Sequence, residues 1–216
     1  MKIAQGGTSW ICSGFIITSI CLVLFTMIES QWKLILLFFT GFFLLISFLL
    51  VVFFRDPVRT VGSDIVAAAD GYIQSIETII SDEDVGSCIR IATFMNIHNV
   101  HVNRASLEGT IEKITHIPGG HLPAFTKDSE RNERLIILLK TSIGLIKIVQ
   151  IAGTLARRIV PFVSEGQSLK KGDKIGLIRL GSRVDVYLPE KNIKRIVVKH
   201  KQKVKAGVDT IATCNA

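Results

Sequence analysis

The chain has 216 residues, 48% of them hydrophobic, and 26 Lys and Arg against 18 Asp and Glu give it a net charge of +8. That length suits one modest globular domain with an appendage. The four cysteines, Cys12, Cys21, Cys88 and Cys214, contain no C-x-x-C pair, which argues against a disulfide framework or a zinc site and agrees with a reducing compartment.

Trp10 to Ile28 and Leu34 to Phe54 are uncharged runs of 19 and 21 residues, separated only by Glu29, Ser30, Gln31, Trp32 and Lys33. At the rise of an α-helix the second run reaches about 31 Å, the thickness of bilayer hydrocarbon. The two predict a transmembrane helical hairpin with spans at 10–28 and 34–54, because so short a loop forces antiparallel neighbours. Trp10 and Trp32 fall at run ends, where indole rings favour the headgroup zone. A signal peptide would need a small-residue cleavage site, and Thr26-Met27-Ile28-Glu29 supplies none. The remaining alternative is a buried helix of a soluble protein. Lys2 before the hairpin and Arg55 and Arg59 after it place both ends in the cytoplasm, on the inner face of the cell membrane.

Residues 55–216 then form one soluble domain carrying +7 of the net charge. Its length is enough for a single packed core. Beside an anionic leaflet each near-surface Lys or Arg is favourable by about 1 kcal/mol, so anionic lipid is the expected partner and nucleic acid is not. The run from Lys191 to Lys205 holds seven Lys and Arg and no acid. It reads equally as a solvated strand face or as a headgroup-attracting one.

Within this domain the chain reads as mainly antiparallel β. Ile65 to Ile73 has Asp70-Gly71 as a turn former between apolar stretches. Ser87–Phe94 alternates weakly, and Leu107–Ile114 enters a strand through Gly109. Arg134–Lys140 and Gly144–Ala152 predict a hairpin around Thr141-Ser142-Ile143. Thr154 to Ile159 has the length of a short helix. Ile117 to Arg134 is the longest irregular stretch, of a kind that tends to be functional. From Val163 to Gly176, glycines six and four apart among apolar anchors resemble the half-barrel of biotinyl and lipoyl carrier domains. Val204–Ala212 reads as a second copy of its closing half. A carrier needs a lysine at its hairpin tip; here the chain runs instead into Leu180-Gly181-Ser182-Arg183.

Gly181-Ser182 precedes the alternating strand Arg183–Leu188. In isolation such a pair is an ordinary turn. A serine held there can also attack the carbonyl of its own preceding glycine, cutting the chain and leaving a new terminal group. Glycine leaves the path of attack open.

Six blocks in order decide between these readings. They are Phe53-Phe54-Arg55-Asp56-Pro57, Ala68-Ala69-Asp70-Gly71, Phe94 to Arg104 with His98-Asn99-Val100-His101-Val102-Asn103-Arg104, Pro118-Gly119, Asn132-Glu133-Arg134, and Gly181-Ser182-Arg183-Val184-Asp185. Together they resemble the phosphatidylserine decarboxylases of the short, membrane-anchored, pyruvoyl-dependent branch. Ala68 departs from the family's proline, and Asn96-Ile97 from its more usual Ser-Pro or Ser-Val.

The resemblance implies self-cleavage between Gly181 and Ser182 into a β chain, 1–181, and an α chain, 182–216, which stay associated as a heterodimer. Ser182 would become a pyruvoyl group, the covalent cofactor, with neither metal nor pyridoxal phosphate required. That group would form a Schiff base with the amine of phosphatidylserine, releasing carbon dioxide and phosphatidylethanolamine. It further implies that Asp70 helps orient a base acting on Ser182 and that a histidine near 101 moves protons. His101 is the choice, with His98 as a substitute and as a candidate for substrate contact. Arg104, always protonated and so no base, is a candidate for the lipid phosphate, and His121 for reaching the site from its loop. The rival from another class is a non-enzymatic membrane adaptor with a carrier-like β domain. An ether-linked phosphatidylserine, identical in headgroup, is an alternative substrate.

Overall fold

The computed structural model describes residues 2–28, 31–120, 122, 124, 131–153, 158–179 and 182–215. They divide into two compact units, Met1–Val58 and Arg59–Ala216. In the first, strand β1 (Lys2–Ile3) precedes helices α1 (Thr8–Met27) and α2 (Lys33–Phe53), and β2 (Arg55–Asp56) returns to pair antiparallel with β1. The helices form the expected hairpin, each within two residues of its predicted start and one of its predicted end. Their 20 and 21 residues span about 30 Å.

The helices meet through small residues. Gly14, Thr18 and Ser47 are buried, and a Cβ at Gly14 would lie 2.7 Å from Ser47 Oγ. Backbones approach this closely only where one partner lacks a side chain. The hydroxyls of Thr18, Ser19, Thr40 and Ser47 each donate to the carbonyl four residues back, at 2.7–2.9 Å. Polar groups satisfied within their own helix suit hydrocarbon surroundings. The outward faces are aliphatic and aromatic, Phe38, Phe42, Leu45 and Phe48 among them.

The second unit opens with β3 (Ile65–Val66), β4 (Gly71–Asp82), β5 (Gly86–Met95), β6 (Val102–Arg104) and β7 (Gly109–Ile117). Then come β8 (Arg134–Thr141), β9 (Gly144–Ala152), β10 (Ile159–Pro161), β11 (Ser168–Leu169) and β12 (Lys174–Ile178). β13 (Ser182–Pro189), a 3-10 turn at Glu190–Asn192, β14 (Ile193–Ile196), β15 (Lys203–Val204) and β16 (Thr210–Cys214) complete it. Eight strands form one curled antiparallel sheet in the order β11-β7-β8-β9-β13-β5-β4-β15. Three-stranded sheets β10-β12-β6 and β14-β16-β3 accompany it. The fold is mainly antiparallel β with the anticipated half-barrel element.

Two local expectations need adjusting. Asp70-Gly71 does not turn a hairpin, since β3 and β4 belong to different sheets. Gly71 instead admits close backbone approach, because a Cβ there would stand 1.9 Å from the Phe94 carbonyl oxygen. Of the helix considered at Thr154 to Ile159, residues 154–157 lie outside the described residues and Ile159 opens β10. Between Phe94 and Arg104 the chain changes strand: β5 ends at Met95 and the backbone turns through Asn96–Asn99 before β6.

The suspected repeat is real in its hydrogen bonding. Gly172 N donates to Ala105 O and Gly207 N to Ala67 O, at 2.9 and 2.8 Å. In return Ala105 N donates to Asp173 O and Ala67 N to Asp209 O. Each turn is closed by an aspartate accepting a lysine amide, Asp173 from Lys170 and Asp209 from Lys205. The two halves cross-link through Val66 N to Ser106 O and Arg104 N to Ala68 O. Gly172 and Gly207 both have positive φ, +83° and +73°, which a side chain resists.

Alternation along β13 sorts its side chains. Ser182, Val184, Val186 and Leu188 share one face, where the last three join a core with Ile73, Ile91, Ile137 and Ile148. Arg183, Asp185 and Tyr187 lie on the other, among charged neighbours. There Lys147, 7% exposed, pairs with Asp82 and Asp84 and lies over the Tyr187 ring. Burial alone would raise the Asp82 carboxyl. Bonds from Lys147 and from the amides of Asp84 and Val85 outweigh it and hold the group below its ordinary range.

A depressed carboxyl stabilises the fold fully above its unfolded value, about 3.9, and that contribution disappears as pH falls through the folded value. Asp82→Asn is therefore expected to destabilise the detergent-solubilised chain by about 1.5–3 kcal/mol at neutral pH. The difference from wild type should close in acid, where the wild-type carboxyl is also neutral. Thermal unfolding across a pH series measures it.

Candidate active site

Ser182 is the first residue of β13 and is fully buried. Its neighbours across the sheet are Met95 on β5 and Ala152 on β9. Strand pairing on both sides fixes its backbone, and alternation aims its side chain at the core face. The hydroxyl donates to Met95 Sδ at 3.5 Å. A thioether is a weak acceptor, so the oxygen is oriented while its lone pairs stay available for attack. Gly181, its expected partner in cleavage, lies outside the described residues, as does His121.

His101 has no exposed surface. Its ring Nδ1 lies 2.8 Å from the Asn99 carbonyl oxygen, an arrangement that places the proton on Nδ1 and leaves Nε2 as the basic nitrogen of the neutral ring. The His101 carbonyl accepts from Ile178 N, so the histidine stands beside the segment leading to Ser182. Next to Ser182 lies a buried polar set. Asn103, one strand position beyond Val102, donates through Nδ2 to Met95 Sδ at 3.6 Å and accepts at Oδ1 from Gln150 Nε2 at 2.6 Å. Both amides are fully buried. Gly176 makes room for them, because a Cβ there would lie 2.9 Å from Gln150 Nε2 and 2.9 Å from the Val160 carbonyl oxygen.

On the other flank, Asn132 ties the irregular stretch to the sheet. Its Nδ2 donates to the carbonyls of Ala152 and Leu122, at 2.7 and 2.6 Å, while its Oδ1 accepts from Leu122 N. One side chain thus joins the loop backbone to the residue opposite Ser182.

Other sequence candidates are placed differently. The hydrogen bonds of Asp70 among the described residues go to Arg59, bidentate at 2.5 and 2.7 Å, and to the Ala206 amide, and not to Ser182 or His101. Arg104 is buried, with Nη1 donating to the Gly172 carbonyl and its stem against Gly207. Asp70 and Arg104 therefore brace the two related turns. His98 is exposed at the tip of the Asn96–Asn99 turn, immediately beyond the Met95 end of β5. Met95, Gln150 and the roles of Asn103 and Asn132 were not foreseen. Gln150 carried one legible signal, a lone amide at a core-facing position of the apolar run Ile146–Ala152, where burial demands a partner.

On the reverse face Arg183 holds Asp185 with two bonds, at 2.9 and 3.0 Å, and Arg90 bonds Glu77. For Arg90, burial opposes the charge, but Asp185, Tyr187 and Glu77 outweigh it and raise its pKa. These pairs pin the residues that follow Ser182.

Proteins of known family are similar to this chain over most of its length. The family model for phosphatidylserine decarboxylase matches residues 46–212. A phosphatidylserine decarboxylase proenzyme of Streptomyces avermitilis is 49% identical over 160 residues, 74% of this chain and 71% of the relative. Proteins named as archaetidylserine decarboxylase proenzymes align further. That of Methanococcoides burtonii is 42% identical, covering 87% of this chain and 86% of its own, and that of Methanosarcina barkeri is 40% identical over 98% of each. The chain belongs to the phosphatidylserine decarboxylase family and is a decarboxylase.

Removing the Asp70 carboxylate strands Arg59 and leaves the Ala206 amide without an acceptor. Asp70→Ala is expected to lose about 3–5 kcal/mol. Arg59→Ala should lose a comparable amount, and the double variant less than the sum of the two. A double-mutant cycle by chemical denaturation measures the coupling.

Proposed function

We propose that the chain decarboxylates phosphatidylserine to phosphatidylethanolamine after cutting itself between Gly181 and Ser182. The observation that carries this reading is the placement of Ser182, fully buried at the head of a central strand, its hydroxyl donating among the described residues to a thioether. The Ser182 hydroxyl attacks the Gly181 carbonyl, exchanging the amide for an ester. Loss of the Ser182 α-proton then expels the Gly181 carboxylate and leaves dehydroalanine. Tautomerisation and hydrolysis release ammonia and leave a pyruvoyl group on residue 182. His101, with Nε2 as its basic nitrogen, serves the proton transfers. Asp70 acts from a distance by holding the turn at Ala206.

The site suits such a group. Conversion removes a hydroxyl whose only hydrogen bond among the described residues is to sulfur, so no strong partner is orphaned. Met95 and Ala152 still flank the residue, which keeps its carbonyl while its amide nitrogen leaves as ammonia, and the pairing of Arg183 onward holds it in place. When present, the pyruvoyl carbonyl supplies an electrophile for the lipid amine and a sink for the electron pair left by carbon dioxide. His98, exposed at the same end of β5, is our candidate for headgroup contact, with His121 from its loop and Arg104 as the remaining phosphate candidate. The helical hairpin anchors the chain in the inner membrane, with residues 55–216 in the cytoplasm. The seven Lys and Arg of 191–205 favour its anionic lipid.

Wild-type protein is expected to run as a large and a small fragment, the small one having the mass of 182–216 with a terminal ketoacyl group. Ser182→Ala should run as one uncut band and release no carbon dioxide from phosphatidylserine vesicles. A small fragment beginning with an intact serine would refute the mechanism. Presenting diacyl and dialkyl-ether phosphatidylserine side by side tests the lipid class. His101→Ala should slow cleavage by about 10²–10⁴-fold, read on a gel after cell-free synthesis.

A further inference from the structure

Three buried side chains stand in series behind the Ser182 hydroxyl: Met95 Sδ, the Asn103 carboxamide and the Gln150 carboxamide. Building this series into an apolar core is unfavourable. Leucine at 103 and 150 would fill similar space without polar atoms, and Gln150 Oε1 is buried with no hydrogen-bond partner among the described residues. The arrangement has a direction. Gln150 Nε2–H donates to Asn103 Oδ1, which fixes the carboxamide with its NH2 toward sulfur, and that orientation in turn holds the thioether where the Ser182 O–H donates to it. Gly176 keeps the space open for Gln150, and Gly176 is also the β-pairing partner of Asn103.

We propose that Gln150 and Asn103 are positioning residues for self-cleavage, acting through Met95 to hold the Ser182 hydroxyl in its attacking rotamer. The proposal rests on the self-cleavage reading above. Because the link to the serine is a weak bond to sulfur, the hydroxyl is released easily when a base takes its proton. A carboxylate or carbonyl in place of Met95 would hold it more firmly and compete with that base.

Two variants test this. Met95→Leu keeps volume and apolar character but removes the acceptor. With its unfolding midpoint near wild type, cleavage during cell-free synthesis is expected to slow by about tenfold or more. Gln150→Glu is compared with Gln150→Leu, following the uncut fraction of each in detergent from about pH 8 to pH 5. A glutamate buried there has a raised pKa. Its neutral acid donates to Asn103 Oδ1 as the glutamine does, whereas its carboxylate repels that oxygen. The cleavage rate of Gln150→Glu relative to Gln150→Leu should therefore rise as pH falls. A role in packing alone predicts a flat ratio. Wild-type cleavage by Met95→Leu, or a flat ratio, overturns the proposal. If wild type itself fails to cut, the self-cleavage reading falls instead.

Discussion

Everything at this site depends on a ladder of backbone hydrogen bonds rather than on the covalent chain. β13 is flanked by β9 and β5 along nearly its whole length, from Ser182 opposite Ala152 and Met95 to Tyr187 opposite Lys147 and Arg90. A chain severed just before Ser182 would keep that ladder from Arg183 onward. Residues 182–216 would supply β13 in the middle of the eight-stranded sheet, β15 at its edge, and β14 and β16 in a second sheet. The two pieces could separate only by dismantling the core. Arg183 gripping Asp185, beside Arg90, adds a lock at the second residue of the shorter piece, where fraying of a new terminus would otherwise begin.

The paired glycine turns set the frame around this strand. Their exchange of bonds between Ala67 and Gly207 and between Ala105 and Gly172 brings the two halves of the chain's β scaffold together. Asp70 braces one turn and Arg104 the other. Both residues sit in blocks that invite a catalytic reading, and both have a mechanical task visible in their contacts. A residue of this kind influences chemistry through the backbone it immobilises, so loss of activity on its mutation speaks first of position.

Much of this was legible in the residues because it rests on short-range rules. Two uncharged runs with a five-residue gap leave little but a helical hairpin, and the 134–152 hairpin follows from alternation and Gly144. The repeat was visible through its glycines, which mark positive φ. Other features were hidden because they are set by distant strands. Asp70-Gly71 looks like a turn, yet its glycine answers to the Phe94 carbonyl across the sheet. His98 and His101 look like neighbours on one strand until the Asn96–Asn99 turn separates them. No local pattern shows that Met95, Asn103 and Gln150, on three different strands, meet behind Ser182.

The complete burial of Ser182 has a consequence for the order of events. A phospholipid amine cannot reach a residue with no exposed surface, so on the proposed mechanism the uncut chain would be closed to substrate as well as lacking the electrophile. The same bond therefore governs both. As long as Gly181 stays attached to residue 182, first as amide and then as ester, burial would keep out the water that could hydrolyse the ester before elimination. Once that link is broken, the residues upstream would be freed from β13 at the point where the ketone forms, and His98 is exposed just beyond the Met95 end of β5, opposite Ser182. On this mechanism closure would protect the making of the group and cutting would open it for use, so no separate lid is required to reconcile the two demands.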